Sequence, residues 1–251
     1  MKKMLLAVLL SLFFICLTNF TLNIEIPSIS QKNTIFISLG AQCSPAFALN
    51  HYKIRKTSLP FDWIVTNFDI VYKCLEEDFK NFLIKESLYI DPKEPIYVRD
   101  SYGIGYMHDF PAYSDTYHIK ENFLDHYDEV MTKYQRRINR LRDILKSNNI
   151  HVVFIRLDHE LGGTKDKAIK LRDLISLKYP HLDFTYVLLT CTEESKVPWD
   201  LPRIKNFFMP WNDIWNYESE AWIKALTEIK VISSVNILHP WEHLECFTYE
   251  C

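Results

Sequence analysis

Three short stretches carry residue types that together could run nucleophilic chemistry. The first is Gln42-Cys43, inside Thr34-Ile-Phe-Ile-Ser-Leu-Gly-Ala-Gln-Cys-Ser-Pro-Ala-Phe-Ala-Leu. A thiol delivered between a strand and a helix faces helix N–H groups and the positive end of the helix dipole, and both favour thiolate over thiol. The plainer reading is a small apolar residue filling that corner, since free cysteine is often buried. The Cys43 amide and the Gln42 side-chain amide could hold an oxyanion. The second stretch is Gly103-Ile-Gly-Tyr-Met-His-Asp-Phe-Pro, where the His108 imidazole could take a proton from a thiol and Asp109 could orient it. The third is Arg156-Leu-Asp-His-Glu, in which Arg156 and Asp158 share one face of a strand. They read either as an ion pair at a strand end or as a ligand-binding arginine beside a catalytic carboxylate.

Those residues need elements to hold them. Ile35–Leu39 reads as a short buried strand broken by Gly40, with Ser44 as N-cap and Pro45 opening a helix to about Tyr52. Lys56–Trp63 reads as a loop, since Pro60 excludes a continuing helix, and Asp62 is placed to cap the helix that follows. Asp62 and Trp63 are also candidates for substrate binding. A helix over Asn67–Leu83 comes next, then a hairpin of Ile96–Arg99 with Ile104–Met107, which presents Arg99 as a further candidate contact. Glu121–Ser147 reads as the longest helix, with the basic run from Gln135 to Arg142 as its solvated face. Strand patterns at His151–Leu157, Asp183–Leu189 and Ile204–Met209 alternate with helices at Lys165–Lys178 and Glu218–Ile229. That alternation predicts an α/β fold with a mostly parallel central sheet flanked by helices. Ligands gather beyond strand C-termini in such sheets, so Cys43 and Asp158 are expected to converge.

Composition narrows the class. Among 251 residues, 48% are hydrophobic, 24% are charged and the net charge is −3, which argues against nucleic-acid binding. Five glycines make a glycine-rich phosphate cradle improbable, and aromatic content of 14% fits either a lined groove or a large core. No metal site and no cofactor is expected: His159-Glu160 lacks a second ligand at useful spacing. Lys2 and Lys3 ahead of the apolar run Met4–Leu17 have the layout of a secretory signal or a short anchor over residues 1–22. The remainder, 33–251, then reads as a single secreted or periplasmic domain, with membrane attachment through residues 4–20 if the leader is kept. Five cysteines would remain after loss of Cys16, an odd number that leaves one thiol unpaired, while Cys246 and Cys251 are close enough to pair.

The paired motifs Ile37-Ser-Leu-Gly-Ala-Gln-Cys-Ser-Pro-Ala and Arg55-Lys-Thr-Ser-Leu-Pro-Phe-Asp-Trp-Ile resemble the signature of a bacterial family, DUF1796, described as papain-like cysteine peptidases. His108-Asp109-Phe110 and Val153-Phe154-Ile155-Arg156 are also similar to it. The resemblance implies a thiol hydrolase with Cys43 as nucleophile, His108 as base and an acidic or amide residue orienting it. It also raises a papain-like α+β fold as the alternative architecture. The chain departs from papain itself in having no C-G-S-C-W sequence and in placing Gln42 beside the nucleophile. The expectation is an exported hydrolase of a peptide, amide or ester bond, acting on a peptide or glycan of the cell envelope. Two rivals remain: a surface-polysaccharide transferase or esterase using Arg99, Arg156 and the segment Pro198–Trp215, or a non-catalytic envelope-binding protein.

Overall fold

A parallel sheet of four strands runs through the middle of the protein and is covered on both faces. The structure is a computed structural model, and it describes residues 33–158 and 162–229. The leader, the linker, His159-Glu160, Cys246 and Cys251 lie outside those residues. Strand β1 (Asn33–Ser38) leads into α1 (Ser44–His51). Four short strands and two helices follow before the chain returns to the main sheet as β6 (Ile150–Leu157). From there α4 (Lys165–Lys178), β7 (Asp183–Thr190), β8 (Ile204–Phe208) and α5 (Glu220–Glu228) complete the described chain. The sheet order is β1-β6-β7-β8, every pair parallel.

Near-continuous apolar strands are what a doubly covered parallel sheet requires. Val152, Phe154, Phe184, Tyr186 and Leu188 face one core, while Val153, Ile155, Leu157, Val187 and Leu189 face the other. The second core is closed by α1 and α5 through Ala48, Leu49, Trp222 and Leu226. The first is closed by α4, by α2 (Phe68–Glu76) and by α3 (Tyr127–Leu145). Helices leaving the adjacent strands β1 and β6 thus depart to opposite faces, which opens a crevice at the strand C-termini.

A second, antiparallel sheet sits on the first core, in the order β2 (Ile64–Val65), β5 (Gly105–Tyr106), β4 (Val98–Arg99), β3 (Tyr89–Ile90). The expected hairpin is its centre, closed by the Gly103 amide donating to Asp100 O at 2.9 Å. The mostly parallel sheet is therefore as expected, and the small sheet adds an α+β component.

Two local expectations need correction. Helix α2 ends at Glu76, not Leu83, because Asp78, Phe79 and Leu83 all take left-handed φ angles of 52, 61 and 54°. Phe79 and Phe82 still bury, as an irregular turn. The basic run of α3 is not wholly solvated either: Arg137 is buried, Arg140 reaches Ser58 O at 3.4 Å, and Arg142 pairs with Asp78 at 3.0 Å.

Candidate functional site

The turn from β1 to α1 is held in an unusual shape. Gly40 (φ 71°) and Ala41 (φ 38°) are both left-handed, a conformation costly for a residue with a Cβ. A Cβ on Gly40 would lie 2.9 Å from Thr66 Oγ1 and 3.2 Å from Phe61 O, so the backbone packs there without room for a side chain. The Gly40 amide donates to Ser38 Oγ (3.2 Å), and the Thr66 amide donates to Ala41 O (2.9 Å). The turn delivers Cys43 as the N-cap of α1, its carbonyl accepting from the Phe47 amide at 3.0 Å. The cap is one residue earlier than the sequence implied. Ser44 is spared for another task, donating from Oγ to Ile214 O at 2.6 Å, which ties α1 to the chain beyond β8.

Cys43 is a free, half-buried thiol. Burial pushes its pKa up, and a hydrogen bond from its own amide only partly opposes that. Loss of solvation thus opposes the thiolate that the helix N-terminus was expected to favour. Phe47, one turn along α1, packs edge-on against Trp63 (4.9 Å) and Trp215 (6.3 Å), and Arg55 lies over Trp63 at 4.8 Å. An aromatic shelf therefore flanks the first turn of α1, with Trp215 53% exposed.

Most of the charged candidates are committed elsewhere. Arg156 is wholly buried: Nε bonds Asp158 Oδ2 (3.0 Å), Nη1 bonds Leu39 O (2.8 Å) and Nη2 bonds Thr66 O (2.9 Å). It clamps the exit of β1 to the end of β2, and a ligand has no access to it. Asp158 shares its face, as expected, but its carboxylate belongs to Arg156. Asp109 accepts from Lys133 (2.7 Å) and from Tyr134 OH (2.8 Å), one on each oxygen, so it anchors β5 to α3. Asp62 is buried in the 55–62 loop, accepting from Arg55 and from the Leu59 amide at 2.8 Å, and its carboxyl is pushed up by burial. The helix cap expected of Asp62 is made by Asn67, which accepts from Ile70 at 2.9 Å. Arg99 is neutralised by Asp91 and Glu94. Among the described residues no hydrogen bond or ion pair joins Cys43 to His108, Asp109 or Asp158.

Uncommitted groups remain. His108 is exposed on the bend after β5, and the β2–β5 register carries that bend toward Trp63. Gln42 is half-buried beside Cys43. Tyr97, which motif reading missed, feels the charge of Cys43 as well as that of Glu94 and Arg99. Its ring lies where Gly105 has no side chain: a Cβ there would sit 3.2 Å from Tyr97 Cδ1 and 3.3 Å from Val65 Cβ. Burial, then Glu94, holds the phenol above its usual pKa, so it remains a protonated donor. Among the described residues its hydroxyl has no hydrogen-bond partner. No motif marks Tyr97, because only the pairing of β2, β5 and β4 sets its ring against Gly105. A cavity of about 360 Å³ between β8, residues 195–198 and α5 is lined by none of these groups.

Comparison with known proteins supplies a frame for this arrangement. Residues 34–194 match the family described as "Putative papain-like cysteine peptidase (DUF1796)". "Uncharacterized protein R408" of Acanthamoeba polyphaga mimivirus is 32% identical over 168 residues, covering 59% of this chain and 71% of that protein. That relative is viral, so it lends no support to a bacterial restriction of the family. No solved structure matches.

Proposed function

Since this chain belongs to the family described as "Putative papain-like cysteine peptidase (DUF1796)", we propose that it is a thiol hydrolase of a peptide, amide or ester bond, with Cys43 as the nucleophile. The observation that carries this reading is the delivery of a free, half-buried thiol by a strained left-handed turn to the N-terminus of α1. Cys43 Sγ attacks the carbonyl carbon while its proton passes to His108, the uncommitted imidazole on the Trp63 side. Because the resting thiol is protonated, His108 acts as a base during attack and not as the partner of a standing ion pair. The first-turn N–H groups of α1, the Gln42 amide and the Tyr97 hydroxyl are the donors for the oxyanion. The leaving group takes the proton back from His108, and water, deprotonated by the same imidazole, releases the acyl group from Cys43. The apolar run Met4–Leu17 supports export, with a peptide or glycan of the cell envelope as substrate.

The test uses 4-nitrophenyl acetate as acyl donor, with peptide mass spectrometry to locate the acetyl group. Cys43 should be acylated well ahead of Cys74 and Cys191, and His108→Ala should slow that step about 10²-fold or more. Acylation of Cys43 no faster than that of a thiol in the unfolded chain would sink the proposal.

The polysaccharide reading loses its proposed acid-binding arginines, since Arg156 is inaccessible and Arg99 is neutralised.

A further inference from the structure

Helix α3 buries an arginine among its apolar residues. Arg137 lies between Tyr134 and Leu141 on the inner stripe and is 4% exposed, yet its Nη1 has no hydrogen-bond partner. Among the described residues it makes no ion pair. Its guanidinium carbon lies 5.1 Å from the Tyr134 ring centroid, and a cation over a ring recovers just part of what desolvation costs.

The carboxylates nearby are already taken. Asp62, whose titration Arg137 influences, is held by Arg55 at 2.8 and 3.1 Å. Asp109 is held by Lys133 and Tyr134. Arg140, one turn further along α3 and half-buried, has only a 3.4 Å contact to Ser58 O. Four cations therefore face two carboxylates where α3 meets the 55–62 loop. The Ser58 hydroxyl, which accepts from Arg55 Nη2 at 2.8 Å, sits at the same seam.

We propose that Arg137 and Arg140 form a binding site for an oxyanion, a phosphate or carboxylate group of a ligand, between α3 and the 55–62 loop. A guanidinium fork matches such a group through paired, charge-assisted hydrogen bonds. The two positive charges in excess supply the attraction, and the weak Arg140–Ser58 contact is the side that opens to admit the anion. The site depends on α3, not on Cys43, so it stands or falls independently of the thiol chemistry.

The experiment is thermal unfolding of the full chain with inorganic phosphate, with glutarate, and with sodium chloride at matched ionic strength. Phosphate or glutarate should raise Tm saturably while chloride does not, and whichever saturates at lower concentration names the ligand's acidic group. Arg137→Met should abolish the response and, in anion-free buffer, melt at or above wild type, because it removes an uncompensated buried charge. Arg140→Gln, at a half-buried position, should leave Tm unchanged without anion and weaken apparent affinity about tenfold. Two results would overturn the assignment: no saturable response to either anion, or variants of both arginines that respond as wild type does.

Discussion

Replacing Arg156 by methionine tests whether this residue is a clamp inside the fold. Arg156 and Asp158 are both fully buried, and the guanidinium also serves Leu39 O and Thr66 O. Methionine keeps most of the volume and removes the charge. It leaves the Asp158 carboxylate without a counter-ion, which costs about 3–5 kcal/mol. It also strips the donors from two buried carbonyls, at about 1–3 kcal/mol each. The expected loss is about 5 kcal/mol or more, a large share of the roughly 5–15 kcal/mol that holds a domain together. The double variant Arg156→Met/Asp158→Leu removes both charges. It should recover at least half of the loss, because Asp158 Oδ1 has no partner even with Arg156 present. Urea unfolding followed by tryptophan fluorescence gives both numbers, provided the denaturant slope is unchanged. A single variant that loses less than about 2 kcal/mol, or a double variant no more stable than the single, would refute the reasoning.

Other perturbations report on the site itself. Alkylation of Cys43 by iodoacetamide tracks the thiolate fraction; with burial raising the pKa above the ordinary 9.0, the rate should still be climbing past pH 9, and a plateau near neutrality would contradict this. Tyr97→Phe keeps the ring and removes the donor, so acylation by 4-nitrophenyl acetate should slow about 10²-fold while alkylation, which forms no oxyanion, stays at the wild-type rate. Gly40→Ala places a Cβ 2.9 Å from Thr66 Oγ1 at a left-handed φ, and should cost about 1–3 kcal/mol in urea unfolding. In that variant the Cys43 alkylation rate should change as well, since the turn that delivers the thiol cannot keep its shape.

The larger elements were legible because each carries its own period. The strands at Ile150–Leu157 and Asp183–Thr190, with the helix between them, follow from apolar runs and amphipathic spacing. Alternation also put Arg156 and Asp158 on one face, but it cannot say whether another layer covers that face. The covering layer here is built partly from two-residue strands, too short to leave a pattern. Arg137 was recoverable: it falls three residues after Tyr134 and four before Leu141, within the stripe that packs inward. Reading Gln135–Arg142 by composition instead of by position concealed it. The early end of α2 left no glycine to mark it, since Asp78 and Phe79 take the left-handed turn themselves. Tyr97 depended on strand pairing that no local spacing encodes.

The register of β1 has a consequence for how the protein is made. Among the described residues β1 pairs only with β6, from Asn33 opposite Ile150 to Ser38 opposite Ile155, and the clamp on Leu39 comes from Arg156, 117 residues further along the chain. During synthesis the segment bearing Cys43 leaves the ribosome long before its partner strand exists. Contacts that span so much chain form late. The nascent polypeptide therefore carries an unshaped thiol with no assembled oxyanion donors, and the turn at Gly40–Ala41 can be locked only once residues through Asp158 have emerged. A product that terminates before β6 holds Gln42, Cys43, Tyr97 and His108 but neither β6 nor the Arg156 clamp, so the proposed chemistry is conditional on synthesis through Asp158.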